Sequence, residues 1–379
     1  MNYTTDRWSL CLAWAVVACA ACCPAMAGPV SPEYVEQQRA VVNAALAQEK
    51  PAEEVTYDLI EMLLSEDLFV PRFAAEALKE RELSERQMIH LSNIVWMVPF
   101  GRDEGCIRIL QWTGSDVCSK YAWDVLAHHT LRDLPAEAQV QWLIGQMRTV
   151  GASPQRVAWA ASSRASKLGA VAVPALIRAL EREGTLAQQA AGGALMDIGT
   201  TEAQTAVAGW SIHTLEAYDN PLLWQQAALW LGRLGSAAAF EPLERVLWAH
   251  LESTHIWAVI DALVTIDAKR TVAPLVRVVG EHQPDDDHVE LVTAYLRAAT
   301  ALARMGDERG WDALEVSAAS PVAELRRKAP FAAFATHDER AREILTGLTG
   351  DEDEQVVSQA EYWLTELNRT LERMKQGEQ

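Results

Sequence analysis

The feature that most constrains this chain is a helix-ending signature that returns at a near-regular interval. An alanine-rich stretch ends in a basic or polar residue, an aliphatic residue and a glycine at Lys167-Leu168-Gly169, Asp197-Ile198-Gly199, Arg233-Leu234-Gly235 and Arg304-Met305-Gly306. Degenerate copies stand at Thr265-Ile266-Asp267 and Phe334-Ala335-Thr336. The last residues of successive copies lie 30, 36, 32, 39 and 30 residues apart. A period in this range predicts a solenoid, in which each unit hides its apolar face only against its neighbours. Glycine after the last apolar residue of a helix takes the left-handed conformation without a Cβ clash, so each copy predicts a helix C-terminus.

Other landmarks fall into the same frame. Proline recurs early in the next segment at Pro174, Pro242 and Pro274, which predicts the first turn of a second helix, where a missing N–H costs nothing. A capping residue followed by proline opens later units at Ser153-Pro154, Asn220-Pro221 and Ser320-Pro321. Paired alanines (Ala160-Ala161, Ala190-Ala191, Ala227-Ala228, Ala298-Ala299) would let the first helices of adjacent units approach closely. Val289, Val292, Leu296, Ala299, Leu302 and Met305 step by three or four, predicting one helical face across 287–305. No run alternates apolar and polar residues between turn pairs, so the fold class is all-α.

An alanine-rich helix, a Leu-Gly turn and then Ala-x-x-Pro-Leu-x-x-x-Leu resembles the HEAT repeat, in particular the short variety of the phycobilisome-lyase group. The resemblance is clearest over 154–353. It weakens upstream, where Val70 to Glu80 and Ser84 to Met97 keep the two-helix shape without the glycine; 100–152 reads as divergent units rather than a separate domain. The tetratricopeptide pattern is the nearest competitor, and its aromatic and small positions do not recur in register. The resemblance implies an α-α superhelix, a HEAT-like solenoid whose second helices line the concave side, and it implies a binding scaffold more readily than an enzyme. The expected organisation is a leader over 1–27, an N-terminal cap and divergent repeats over 28–152, HEAT-like repeats over 153–353 and a capping helix over 354–379. In the last of these Val356, Ala360, Trp363, Leu367, Leu371 and Met374 form one apolar stripe.

Trp8 to Cys23 is almost wholly apolar, Pro24 breaks the run, and Ala25-Met26-Ala27 supplies the small-x-small pattern that precedes cleavage of a secretion signal. Three processing outcomes stay open: cleavage after Ala27, lipidation at Cys19 within Val16-Val17-Ala18-Cys19, and an uncleaved anchor. All three place the mature chain outside the cytoplasm, periplasmic or secreted, and the mature part carries no further spanning segment. Four of the six cysteines belong to this leader. The remaining two, Cys106 and Cys118, are either bridged or two buried thiols. The net charge of −19 would repel a phosphate backbone, which argues against nucleic acid as a partner.

The residues present do not match the catalytic members of the HEAT architecture. No histidine precedes a glutamate, so the iron-binding dipeptides of deoxyhypusine hydroxylase are missing; HEAT-like DNA glycosylases need a basic groove, and bilin lyases work in the cytoplasm. No nucleophile elbow, phosphate loop or zinc-type cysteine cluster occurs. His282, Asp285, Asp286, Asp287 and His288 form either a cation loop or a solvated turn in which Asp287 and Glu290 cap the next helix. His128-His129 is expected at a helix end. His250 and His255, five apart, do not share a helical face. Twelve of the fourteen tryptophans lie beyond the leader and are expected in or beside the core. No catalytic residue, cofactor or metal ligand is assigned. One surface feature remains: Arg178, Arg245 and Arg277 follow the aligned prolines by three or four residues, a broken basic ladder suited to an acidic peptide or carboxylate partner. The expected function is a non-enzymatic scaffold or adaptor for a protein or peptide partner. The alternative is an enzyme or accessory lyase whose site no motif reveals.

Overall fold

A computed structural model describes residues 31–65, 67, 69–97, 115–148, 154–217 and 220–376. Among them every regular element is a helix, and the main helix–helix contacts join first or second neighbours in sequence, which is the arrangement of an all-α solenoid. The predicted leader with Cys19, the position of Cys106 and the side chain of Cys118 lie outside the described residues.

The chain divides into two compact units, one formed by 1–139 and 149–160, the other by 140–148 and 161–379. In the first, α1 (Pro32–Leu46), α2 (Ala52–Met62), α3 (Val70–Lys79), α4 (Glu85–Met97) and α5 (Ser115–Leu131) pack in order. Ser31 caps α1 by accepting from the Tyr34 N–H at 3.2 Å. Ser84 and Gln87 form a reciprocal capping box at the head of α4. His128 and His129 do sit in the last turn of α5, and His129 Nε2 lies 3.0 Å from the Leu78 carbonyl at the end of α3. That histidine thus ties two helices rather than serving the dipole alone. The division between the units falls in α6 (Ala136–Met147) and α7 (Pro154–Ser166).

The second unit continues through α8 (Val173–Arg182), α9 (Thr185–Ile198), α10 (Thr201–Ala217), α11 (Pro221–Leu234), α12 (Phe240–Ala249), α13 (Ile256–Ile266), α14 (Ala268–Glu281), α15 (Val292–Arg304), α16 (Glu308–Ala318), α17 (Ala323–Phe334), α18 (Ala341–Leu348) and α19 (Glu354–Lys375). First helices α9, α11, α13, α15, α17 and α19 pack on one another in a row. Second helices α8, α10, α12, α14, α16 and α18 form a parallel row. All four predicted glycines end a helix or turn with positive φ: Gly169 at 62°, Gly199 at 69°, Gly235 at 63° and Gly306 at 79°. In the degenerate copy at 334–336 the left-handed residue is His337, one position later, at φ 55°. Three of the four alanine pairs are buried as predicted, with Ala190, Ala191, Ala227, Ala228, Ala298 and Ala299 fully inaccessible, whereas in the first pair Ala161 is buried and Ala160 only half-buried. Two buried hydroxyls then bond carbonyls of the next first helix: Ser162 Oγ donates to the Ala190 oxygen at 2.7 Å and Thr300 Oγ1 to the Ala332 oxygen at 3.0 Å. Trp224, Trp230 and Trp311 are buried, while Trp159 is 42% exposed.

Several local expectations are corrected. Pro174 does lie in the first turn of α8, but Pro274 stands in the middle of α14. That helix starts early because Asp267 accepts from the Arg270 N–H at 3.0 Å and so caps it more than a turn before the proline. Asn220 caps α11, whereas Ser320 holds only a local turn through the Val322 N–H at 3.2 Å. Val289 is 44% exposed, since a 3₁₀ turn precedes α15 and turns it off the core face. The C-terminal stripe packs as predicted from Val356 through Ala360 to Leu367, but Met374 is 57% exposed.

His337 carries a prediction. Burial, reinforced by the charge of Arg304, holds its imidazole below the ordinary histidine range. Above an unfolded value of about 6.5 both states are neutral and the shift contributes nothing. As pH falls through that value the unfolded chain takes the proton first, so stability is lost on acidification. Urea midpoints at pH 7.5 and 5.5 should therefore fall further for the wild type than for His337→Asn, whose side chain tolerates the same backbone and does not titrate. An equal fall in both proteins would remove His337 from the account.

Candidate interaction surface

The second-helix row of the second unit holds the three arginines singled out above. Each is exposed because it lies opposite the buried stripe of its own helix, as Leu176 and Ala179 on α8, Leu243 and Val246 on α12, and Leu275 and Val278 on α14 show.

Their surroundings differ. Arg178 on α8 has no ion-pair partner among the described residues. Arg245 on α12 reaches back to α10 and donates to Glu216 Oε1 at 2.6 Å. Arg277 on α14 donates to Glu281 Oε2 at 2.8 Å and lies over the Trp248 ring of α12 at 4.6 Å from its centroid. His282 approaches the same indole, with 6.1 Å between ring centres. The ladder is thus mixed: one ion pair and one cation–π contact link adjacent second helices, Arg277 also pairs within its own helix, and Arg178 makes no ion pair among the described residues. Exposed pairs of this kind add little to stability, on the order of 0–1 kcal/mol each. Arg245 and Arg277 lie 32 residues apart, one repeat, whereas Arg178 precedes Arg245 by 67, two repeats.

The same interval organises contacts that sequence reasoning missed. Arg270 lies 4.0 Å over the Phe240 ring and donates to Glu241 at 3.2 Å, and Arg340 lies 4.7 Å over Trp311 and donates to Glu308 at 2.8 Å. Both join the start of one second helix to the start of the next. Arg297 on α15 grips Asp261 on α13 in a two-pronged pair, Nε donating to Oδ1 at 2.6 Å and Nη2 to Oδ2. Charges 29, 32 and 36 residues apart are one repeat apart, so the period already found would have located these pairs.

The other candidate clusters resolve locally. In the 282–288 loop Asp285 Oδ1 accepts from the Asp287 N–H at 3.0 Å and from His288 Nδ1 at 2.8 Å. This hydrogen bond pulls the Asp285 carboxyl below, and pushes the His288 imidazole above, their ordinary values. Asp285 therefore organises the turn that was expected to rest on Asp287 and Glu290. His250 and His255 flank a single residue, Trp224: the first ring is stacked on the indole at 5.7 Å, the second set edge-on at 6.3 Å. A shared helical face is unnecessary, because one histidine follows α12 and the other precedes α13. No group of three or more His, Cys, Asp or Glu among the described residues is placed to hold a metal ion. No helix among them is long and apolar enough to cross a membrane. A shallow, open depression near the C-terminus is lined by Arg327, Glu354, Gln355, Ser358 and Gln359.

No family model matches the chain, and no curated protein matches it. Among solved structures it is similar to an engineered protein, with 19% identity over 89% of this chain and 97% of the other at a TM-score of 0.32. It is also similar to the complex of CpcE and CpcF of phycocyanin lyase from Nostoc sp. PCC7120, with 22% identity over 62% of this chain and 99% of the other at a TM-score of 0.38.

Proposed function

We propose that this protein is a non-enzymatic interaction scaffold of HEAT-like repeats that works outside the cytoplasm. Its docking surface is the second-helix row around Arg178, Arg245, Trp248 and Arg277. The observation that supports this reading is the projection of exposed arginines from the second helices α8, α12 and α14, two of which, Arg245 and Arg277, are held by a contact to the preceding second helix. Such a row suits an extended protein or peptide partner with carboxylates at a matching interval, because Arg178 has no ion-pair partner among the described residues and the paired arginines can exchange one carboxylate for another at little cost. The partner is recognised by charge pattern along the row rather than by a deep pocket.

Site-specific photocrosslinking in the native cell tests this. A photoreactive residue at position 178, 245 or 248 should capture the same protein partner, and Arg178→Glu/Arg245→Glu/Arg277→Glu should abolish that capture. Leu222, exposed on a first helix, serves as the control position. Capture from position 222 with none from the row, or a capture unaffected by the triple charge reversal, would show that the surface has been misplaced. The extracytoplasmic assignment rests on the sequence of residues 1–27 alone. Deleting them should retain the protein in the cytoplasm.

A further inference from the structure

Three arginines stand over an aromatic ring of the preceding second helix: Arg270 over Phe240 at 4.0 Å, Arg277 over Trp248 at 4.6 Å and Arg340 over Trp311 at 4.7 Å. They differ in which nitrogen is engaged. Arg270 donates to Glu241 through Nη2 and Arg340 to Glu308 through Nη1, so a carboxylate already holds the outer end of each guanidinium. Arg277 instead donates to Glu281 through Nε, at 2.8 Å. Its Nη1 and Nη2 have no hydrogen-bond partner among the described residues, and its side chain is 57% exposed.

A guanidinium can grip a carboxylate end-on, through its two terminal nitrogens, and this fork geometry gives both strength and direction. In Arg277 that fork is unoccupied while the rest of the group is restrained. Glu281, one turn on in the same helix, takes the Nε proton, and the Trp248 ring lies against the planar head. Trp248 is half-buried and packs on the core, and His282 approaches the same indole. Holding the arginine in this way reduces the side-chain entropy lost when a partner binds. The other two members of the ladder lack this combination. Arg178 stands over no ring among the described residues, and Arg245 spends a terminal nitrogen on Glu216.

We infer that Arg277, stacked on Trp248, is the anchoring subsite of the docking surface and takes one carboxylate end-on between Nη1 and Nη2. This rests on the reading of the second-helix row as a docking surface, and it adds which residue receives the carboxylate and in what geometry. An acidic side chain and the free C-terminus of a peptide supply the same chemistry.

Nuclear magnetic resonance on the full chain with ¹⁵N-labelled tryptophan tests this, the Trp248 indole signal being assigned by its loss in Trp248→Phe. One probe is an oligoglutamate peptide blocked at both ends. The other is an N-acetylated oligoserine peptide with a free C-terminal carboxylate. At least one should shift the Trp248 indole signal, and the one that does so identifies the source. Arg277→Gln should weaken that binding by about fivefold, the upper end for an exposed charged pair. Arg277→Lys should bind nearly as weakly, because an ammonium keeps the charge but offers no planar fork. Arg270→Gln removes the same charge from the same helix and should have far less effect. A signal that neither peptide moves, a lysine variant that binds like the wild type, or an Arg270→Gln variant as weak as Arg277→Gln would overturn the inference. The wider reading fails separately. If Arg178→Glu/Arg245→Glu binds like the wild type while Arg277→Gln is weakened, the anchor stands without the row; the opposite pattern leaves the row and removes the anchor.

Discussion

Replacing Gly310 with alanine destabilises the C-terminal part of the second unit by about 3 kcal/mol, the upper part of the range for forcing atoms into a closed core. Gly310 lies in α16 where it crosses α15 closely. A Cβ there would sit 2.6 Å from the Ala299 carbonyl oxygen and 2.7 Å from the Leu302 Cβ. The obstacle is helix backbone on one side and a buried leucine on the other, so no flexible side chain can swing away. The comparable glycine of α9, Gly192, meets the ring of Trp230, with Cζ3 2.6 Å from the position of a Cβ. In the Gly310 variant α15 and α16 must separate. Because each unit of a solenoid is supported only by its neighbours, the loss should stay local. Hydrogen–deuterium exchange should show faster uptake in α15 to α19 and unchanged protection in α8 to α12. A uniform loss of protection across the second unit would falsify the one-dimensional description of the array.

Arg326→Ala produces a loss of similar or larger size, about 3–5 kcal/mol, the range for leaving one partner of a buried ion pair uncompensated. The Arg326 side chain is 12% exposed and that of Asp351 is 10% exposed, the most buried pair among the described residues. Arg326 Nε donates to Asp351 Oδ2 at 3.0 Å, while its other nitrogens reach the Ser320 carbonyl at 2.7 Å, the Pro321 carbonyl at 3.1 Å and Glu352 at 3.3 Å. One guanidinium therefore clamps the loop before α17 to the loop before α19. Asp351 in turn accepts from the Asp353 N–H at 2.8 Å, and Asp353 caps α19 while holding Arg327 at 2.8 Å. The melting temperature should drop by roughly 10 °C, given about 2–4 °C per kcal/mol for a unit of this size. Arg326→Lys should fall between, since an ammonium keeps the charge but cannot serve three directions in one plane. The double replacement Arg326→Leu/Asp351→Leu should cost much less than Arg326→Ala, because it leaves no orphaned charge. If Arg326→Ala melted within 2 °C of the wild type, on the order of the shift expected for an exposed pair, the clamp would carry no weight.

Both predictions concern residues that the repeat pattern did not single out, and the reason is physical. The local backbone was legible. Glycines at 169, 199, 235 and 306 announce helix ends because only a residue without Cβ takes that conformation freely, and this requirement is written into single positions. Alanine pairs announced close helix contacts because small side chains in register have few other uses. Where the local signal was ambiguous, context decided. Asp267 rather than Pro274 set the start of α14, and Asp285 rather than Asp287 shaped the loop before α15. The arginine ladder shows the limit for function. Spacing placed Arg178, Arg245 and Arg277 on exposed faces, but the carboxylates that engage two of them are brought close only by the stacking of helices and by the turn of α14.

The sequence by itself determined the all-α class, the repeat period and the places where helices end, because these follow from backbone conformational preference and from apolar spacing along one helix. The tertiary structure alone decided which charges meet and which polar atoms are shut from solvent. It also decided which faces of α15 and α16 leave no room for a methyl group. Those properties depend on distances between residues one repeat apart. Such distances are set by how the side chains of neighbouring helices interlock, and no single helix carries that information in its own pattern.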